Sequence, residues 1–370
     1  MKNFNPLHGG DIISAAAIFN IPLNQWLDLS TGINPSAYPV GDIPTAAFYQ
    51  LPYLSPTFSQ AVKAYYQQDH FLAVSGSQVV IQYLPQILVD QRTADQGTHH
   101  VLMPNVGYRE HELHWQTLRN NIQESVSITH YDAYDHGTMI SDIDYALDQN
   151  PHQHVVVINP NNPSGVMVSQ SQLLAWAELL GAGHYLVVDE AFIDMTPADS
   201  LLSLGGLPNN MIVMRSFGKF FGMAGLRLGF VFACPDVLTR LSHAVGLWSV
   251  NGPAAYIAEQ ALQDVAWQHD IRKKISADYH LTQSLFAPLT DYSVVMENCS
   301  KLFCCYRMPQ DYATVVYHTL ASKGILTRVI SLSDQEALLR VGNVSFDNPD
   351  AIHKIRQVMT VDMLCQLQGS

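Results

Sequence analysis

Apolar residues along the chain gather in short unbroken runs: V-V-V-I-N (Val155–Asn159), Y-L-V-V-D-E (Tyr185–Glu190), M-I-V-M-R-S (Met211–Ser216) and L-G-F-V-F-A (Leu228–Ala233). A strand with one wet face alternates, whereas a strand covered on both faces does not, so these runs predict buried strands of a mainly parallel sheet. Each run ends in a polar or glycine-rich turn. Between two of them, S-Q-S-Q-L-L-A-W-A-E-L-L (Ser169–Leu180) sets polar capping residues ahead of an amphipathic stretch and predicts a helix. The expected class is α/β, with a mainly parallel central sheet and helices on both faces.

From about Cys234 the texture changes. Pro235–Val250 and Gly252–Leu285 read as helices, Ser293–Glu297 and Lys301–Arg307 as antiparallel strands, Leu338–Val341 as a short strand and Pro349–Leu367 as a final helix. This predicts a small α+β domain in the C-terminal third. The expected division is an N-terminal arm (1–40) that is part of the small domain and the substrate site, a large domain (41–250) and a small C-terminal domain (251–370). There is no internal repeat and no long linker, so close packing with a cleft is expected, and clefts are where small molecules bind.

Composition narrows the function. The 370 residues are 48% hydrophobic and 14% charged, enough for a large core, and the formal net charge of −13 disfavours a nucleic-acid or anionic-membrane surface. No apolar run is long enough to span a bilayer, and M-K-N-F-N-P-L-H-G-G lacks the basic start of a signal peptide, so a cytoplasmic enzyme is expected. The cysteines (Cys234, Cys299, Cys304, Cys305, Cys365) form no C-x-x-C pair and read as reduced core thiols, with no metal site. The His99–His100 pair and the His152/His154 pair read as loop residues ahead of strands.

In a chain poor in cations, M-R-S-F-G-K-F-F-G-M-A-G-L-R-L-G-F (Met214–Phe230) is unusual: Lys219 lies among Phe217, Phe220 and Phe221, with Arg227 eight residues on. An ammonium partly withdrawn from water loses its proton more readily and becomes a nucleophile; the alternative is a lysine that snorkels out of an apolar loop. I-N-P-N-N-P-S-G (Ile158–Gly165) follows a strand directly and by itself reads as a turn. Asp189 closes an apolar strand at the sheet's carboxyl edge, where open α/β sheets bind ligands.

Taken in order, the Tyr108–His111 loop, N-N-P-S-G, the strand-end D-E-A-F and S-F-G-K with its later arginine resemble the fold-type I pyridoxal-phosphate enzymes of the aspartate aminotransferase superfamily. The resemblance implies pyridoxal 5'-phosphate as cofactor. It casts Lys219 as the amine that bonds the cofactor aldehyde and then carries protons, Asp189 as the partner of the pyridinium nitrogen and Asn162 as the donor to the phenolic oxygen. It casts Ser216 and Arg227 as phosphate ligands, with a second phosphate cradle at Ser75–Gln78, formed by Gly76, Ser77 and Gln78, with a helix starting at Gln78. Either Tyr108 or His111 would stack on the ring, and the Y-x-E-H pattern favours His111. Many relatives have D-E-A-Y; here Phe192 cannot donate to the phenolic oxygen, so electron withdrawal is tuned differently.

The arm discriminates further. L-H-G-G-D-I (Leu7–Ile12) and I-P-L-N-Q-W-L-D-L-S-T-G-I-N-P (Ile21–Pro35) resemble threonine-phosphate decarboxylases of cobalamin biosynthesis, relatives of histidinol-phosphate aminotransferase and usually homodimers. The resemblance implies a small phosphorylated amino-acid substrate, with His8 and the amides of Gly9 and Gly10 on its phosphate and Asn34 on a carboxylate or phosphate. Arg328 and Arg340, expected at strand ends, are cast on phosphate and α-carboxylate. The implied reaction is decarboxylation of L-threonine O-3-phosphate to 1-aminopropan-2-yl phosphate, in its (R) form. The alternative is a histidinol-phosphate-type aminotransferase; a silent scaffold on the same fold would lack Lys219, Asp189 or Arg227. The tyrosine that the family's dimer lends across its interface is matched by Q-L-P-Y (Gln50–Tyr53), where Tyr53 substitutes or the contact is absent.

Overall fold

The structure is a computed structural model that describes residues 8–89, 98–121, 126–291, 293–296 and 300–359. Its strands are β1 (Leu27–Asp28), β2 (Leu72–Val74), β3 (His99–Pro104), β4 (Val126–Tyr131), β5 (His154–Ile158), β6 (Leu186–Asp189), β7 (Met211–Ser216), β8 (Gly229–Phe232), β9 (Val294–Met296), β10 (Phe303–Pro309), β11 (Ile325–Leu326), β12 (Arg328–Ser331) and β13 (Glu336–Gly342). The chain divides into two compact units, one from Tyr38 to Trp267 and one that joins the residues up to Ala37 with those from Gln268 onward. The boundary falls later than the expected one at residue 250. The helix Gly252–Gln263 packs on the helix Pro56–Tyr66 and so belongs to the large unit, and the predicted single helix Gly252–Leu285 breaks at Asp264.

In the large unit the strand order is β2-β8-β7-β6-β5-β3-β4. From β7 through β6, β5 and β3 to β4 neighbours are parallel, while β8 runs antiparallel to both β7 and β2. Every residue of β5, β6 and β8 is buried, as unbroken apolar runs require of strands covered on both faces. The predicted helix is observed at Gln170–Leu179, with Ser169 as N-cap accepting from the Gln172 amide. The helix predicted over Pro235–Val250 stops at Val245, because Gly246 takes a positive φ of 80°.

In the small unit β12-β13-β10-β9 form an antiparallel sheet, and β1 of the arm pairs in parallel with β11. The helix Gln310–Ser322 lies against these strands, and its buried Val316 and Leu320 share a core with Leu339, Val341 and Ile355. The last helix is described over Pro349–Val358; its predicted extension to Leu367, along with Glu297, Cys299 and Cys365, lies outside the described residues. Cys234, Cys304 and Cys305 are free thiols. Among the described residues no helix is long and apolar enough to cross a membrane.

The histidines at the amino edge of the large sheet differ from the loop residues expected. His99 and His100 belong to β3, and His154 starts β5 fully enclosed, its Nδ1 accepting the Tyr185 amide at 3.1 Å. Burial, and then the nearby His184 and His99, push the His154 imidazole down to about 3. Its unfolded value is near 6.5, so between these limits the unfolded chain binds more protons than the folded one. Stability is therefore full above pH ~6.5 and falls as pH drops, by ~1.4 kcal/mol per pH unit for this side chain. Denaturant unfolding at about pH 7 and about pH 5 should show that loss, and His154→Gln should flatten the slope; an unchanged slope in the variant would assign it elsewhere.

Candidate active site

The parallel strands of the large unit end on one edge, and every predicted cofactor residue lies at or after such an end or just before the antiparallel β8. Ile158, Asp189 and Met214 are in register across β5, β6 and β7, and Val74, Gly229 and Ser216 across β2, β8 and β7. A cavity at this edge is walled by Gly76, Ser77, Gln78, Tyr108, Asn162, Asp189, Ser216, Lys219 and Arg227, joined by Ile158, Ala191 and Phe192. Residues spread over some 150 positions of sequence thus converge because strand ends converge.

The corner expected to hold a phosphate combines backbone with a guanidinium. Gly76 has φ +84° and is the N-cap of the twelve-residue helix Ser77–Leu88, whose first amides have no intrahelical acceptors. A Cβ on Gly76 would lie 2.8 Å from Arg227 Nη2, so the guanidinium lies directly against this turn. Arg227 itself is left-handed (φ 53°), with Nη1 donating to the Ala224 carbonyl at 3.1 Å. Gly229 was not singled out by sequence reasoning, yet a Cβ there would fall 2.6 Å from Ser77 N and 2.9 Å from the Gly76 carbonyl carbon. The signal was present in the glycine heading an otherwise apolar strand, which marks close backbone approach.

Asp189 is buried, with Oδ1 accepting the Ala191 amide at 3.1 Å and Oδ2 3.1 Å from His111 Nε2. The preference for His111 as the stacking ring is therefore corrected. His111 occupies the first turn of the helix Glu110–Asn121 and faces the carboxylate, while Tyr108 lines the cavity. Tyr108 Oη donates to Gln78 Oε1 at 2.9 Å, and Gln78 Nε2 donates to Glu110 Oε2 at 2.8 Å. Asn162 sits in a turn pinned by its neighbours: Asn159 bonds both main-chain groups of Val168, and Asn161 Nδ2 reaches the carbonyls of Val106 and Ala133. The Asn159–Pro160 and Asn162–Pro163 peptides are cis.

Lys219 is half-buried on the short helix Phe217–Phe220. The flanking phenylalanines point into the core, Phe217 stacking on Phe221 at 4.3 Å, and the ring facing the amine is instead Phe192, with Nζ 5.4 Å from its centroid. Beneath this floor lies a cluster that sequence reasoning missed. Arg215, 2% exposed, is ion-paired to Asp194 and to Glu190, and its Nη1 donates to Ser200 Oγ at 3.0 Å. The D-E dipeptide at the end of β6 was the available hint, since a second carboxylate on a buried strand end needs a cation.

The predicted substrate residues lie in the small unit. Arg328 and Arg340 are direct cross-strand partners, Arg328 opening β12 and Arg340 lying within β13 rather than at its end. Burial, and then the charge of Arg328, push the Arg340 guanidinium down to about 9. Gly9 and Gly10 are drawn to Arg340 through Ser30, but the Gly10 amide is not a phosphate donor here, because it donates to Ser30 Oγ at 2.7 Å. Asn34 is buried and closes its own turn, accepting from the Ser36 amide and donating to the Ser36 carbonyl, each at 2.9 Å. His8, half-buried, begins the described arm.

The large-unit donor set fits pyridoxal phosphate. A glycine turn with a helix N-terminus and a guanidinium suits its phosphate, a buried carboxylate suits a protonated ring nitrogen, and an amine suits its aldehyde. The model of aminotransferases of class I and II matches residues 24–346. The threonine-phosphate decarboxylase of Pseudomonas aeruginosa is 36% identical over 336 residues, 90% of this chain and 92% of that one. Two solved structures share the fold at lower identity. The histidinol-phosphate aminotransferase of Sinorhizobium meliloti, in complex with pyridoxal-5'-phosphate, has a TM-score of 0.71 at 19% identity, over 98% of this chain and 99% of that one. The L-threonine-O-3-phosphate decarboxylase of Porphyromonas gingivalis has a TM-score of 0.62 at 18%, over 97% and 98%.

Adding one methyl at Gly229 pushes on the backbone of Gly76 and Ser77, which cannot swing away as a side chain can. Gly229→Ala should weaken pyridoxal-phosphate affinity about tenfold or more, equivalent to ~1.4 kcal/mol, measured by fluorescence titration of the cofactor-free protein. Unchanged affinity would show that the close approach does not shape the phosphate corner.

Proposed function

The chain belongs to the aminotransferase class I and II family, and from that membership we propose that it is a pyridoxal 5'-phosphate enzyme that decarboxylates L-threonine O-3-phosphate. The products are carbon dioxide and (R)-1-aminopropan-2-yl phosphate, a building block for cobalamin. The observation that carries the substrate class is the Arg328–Arg340 pair. Two cations placed opposite each other on adjacent strands repel, and Arg340 is buried besides, so the arrangement suits a ligand with two anionic groups. The end-to-end likeness to the Pseudomonas aeruginosa decarboxylase favours threonine phosphate over the histidinol-phosphate alternative.

Each residue has a task in this reading. Arg227, Ser216 and the Gly76–Gln78 turn hold the cofactor phosphate; Asn162 holds its phenolic oxygen, and Tyr108 covers the ring. Asp189, oriented by His111, keeps a proton on the ring nitrogen. The bound cofactor supplies a sink for the electron pair released when a bond at the substrate's Cα breaks. In this reading Arg340 takes the α-carboxylate by a planar fork, and Arg328, with His8 and Gly9 of the arm, takes the phosphate. Lys219 carries the proton that ends on Cα after carbon dioxide has left.

The reading includes a cytoplasmic homodimer. The free thiols fit a reducing compartment. Phe48, Tyr49, Leu51, Tyr53 and Leu247 are all more than half exposed, and Tyr53 meets Trp248 edge-on at 6.2 Å, which makes an apolar strip suited to a second copy of the chain. Replacing Leu51 and Tyr53 by Asp should shift the sedimenting species from dimer to monomer; a wild-type protein that sediments as a monomer would overturn this part.

The activity test is direct. Purified protein with pyridoxal phosphate and threonine phosphate should release carbon dioxide, and Lys219→Ala should lose at least about a thousandfold in rate. No carbon dioxide, with glutamate formed from histidinol phosphate and 2-oxoglutarate, would establish the aminotransferase instead.

A further inference from the structure

Ser30 is wholly buried in the small unit, and each of its polar groups is engaged. Its hydroxyl accepts the Gly10 amide at 2.7 Å and donates to Asp28 Oδ1 at 2.6 Å, while its own amide donates to the same carboxylate oxygen at 2.8 Å. Its carbonyl accepts from Arg340 Nη2. A side chain at Gly9 would run into that carbonyl and come within 3.2 Å of Arg340 Nη2, so the arm lies directly over the junction.

The chain on either side of Ser30 is fixed independently. Leu27 and Asp28 pair with Ile325 and Leu326, and the Leu29 carbonyl accepts the Gly342 amide at 2.6 Å. Ser30 is therefore a fixed post between β11 and β13, and the arm is what it holds. A hydroxyl that accepts from one side and donates to a carboxylate on the other is polarised, which strengthens both bonds. Asp28 also acts on Arg340 as an opposite charge, countering the repulsion from Arg328.

We propose that Ser30 is a positioning residue: its hydroxyl clasps the Gly9–Gly10 arm to the same post whose carbonyl orients Arg340, so that the arm and the carboxylate-binding arginine share one reference point. The hydroxyl, aligned by Asp28, is the part that distinguishes an ordered arm from a loose one, since the carbonyl is present whatever residue stands there. The consequence for substrate rests on the decarboxylase reading; the clasp does not.

Two measurements separate these. In the substrate-free holoenzyme, amide hydrogen exchange over the peptide that contains Gly10 should quicken about tenfold in Ser30→Ala, and Asp28→Asn should quicken it in the same direction. With threonine phosphate, Ser30→Ala should raise KM about tenfold with kcat within about threefold of wild type, while the cofactor absorbance stays unchanged. In the exchange measurement the double variant Asp28→Asn/Ser30→Ala should fall short of the product of the two single effects, because Ser30→Ala already removes the hydroxyl bond that Asp28 aligns. Unchanged exchange, or effects of the two substitutions that simply multiply, would overturn the clasp. Faster exchange with unchanged KM would confine Ser30 to ordering the arm and overturn its role in substrate binding. A wild type that releases no carbon dioxide would sink the decarboxylase reading and leave the exchange result to judge the clasp.

Discussion

The active edge of the large unit depends on the buried pairing of Arg215 with Asp194 and Glu190. Arg215 precedes Ser216 at the end of β7, and Glu190 follows Asp189 at the end of β6, so the ion pairs tie the two strand ends to each other one residue away from the cavity-lining Asp189 and Ser216. Tyr65 Oη adds a bond to Asp194 at 2.9 Å, and the Tyr66 ring lies 4.9 Å from the guanidinium carbon. Burial pushes the Glu190 carboxyl up, with Arg215 and Ser200 opposing. Removing one partner of such a pair typically costs ~3–5 kcal/mol, because the other charge is left without compensation. The cluster is therefore less a source of net stability than a constraint that excludes other arrangements of these two ends.

With those ends fixed, the rest of the site is a matter of what can come near them. A Cβ at Gly76 would meet the Arg227 guanidinium at 2.8 Å, while at Gly229 and Gly218 backbone approaches backbone and a Cβ would meet Ser77 or Ala224 at 2.6 Å. Side chains on the cavity are held by neighbours: His111 aligns Asp189, and Gln78, itself held by Glu110, aligns Tyr108. The small unit follows the same logic with different parts, as β13 supplies Arg340 and the arm is fastened at Ser30.

Much of this was legible in the sequence, and for identifiable reasons. Unbroken apolar runs gave the buried strands because burial on both faces removes alternation, and the end of one of them then pointed to Asp189. The phenylalanines around Lys219 marked it, and the family resemblance carried by the ordered motifs implied Asn162, Ser216 and Arg227; all four line one cavity. Tertiary partners were not legible. Whether Tyr108 or His111 faces the cavity depends on where the helix Glu110–Asn121 begins, a shift of one turn. That the Gly10 amide belongs to Ser30 depends on a contact twenty residues apart, and Arg215 gave no local sign of its carboxylates. The break at Asp264, which moved the domain boundary, interrupts an amphipathic pattern that periodicity alone reads as continuous.

The central claim is that this strand edge presents one amine, Lys219, to an aldehyde cofactor whose phosphate is held by the Gly76 turn and Arg227. Borohydride reduction of the protein loaded with pyridoxal phosphate, followed by peptide mass mapping, fixes the cofactor's mass on whichever lysine it had bonded. The expected result is a single adduct on Lys219, absent after Lys219→Ala; an adduct centred on another lysine, or none, would contradict the account.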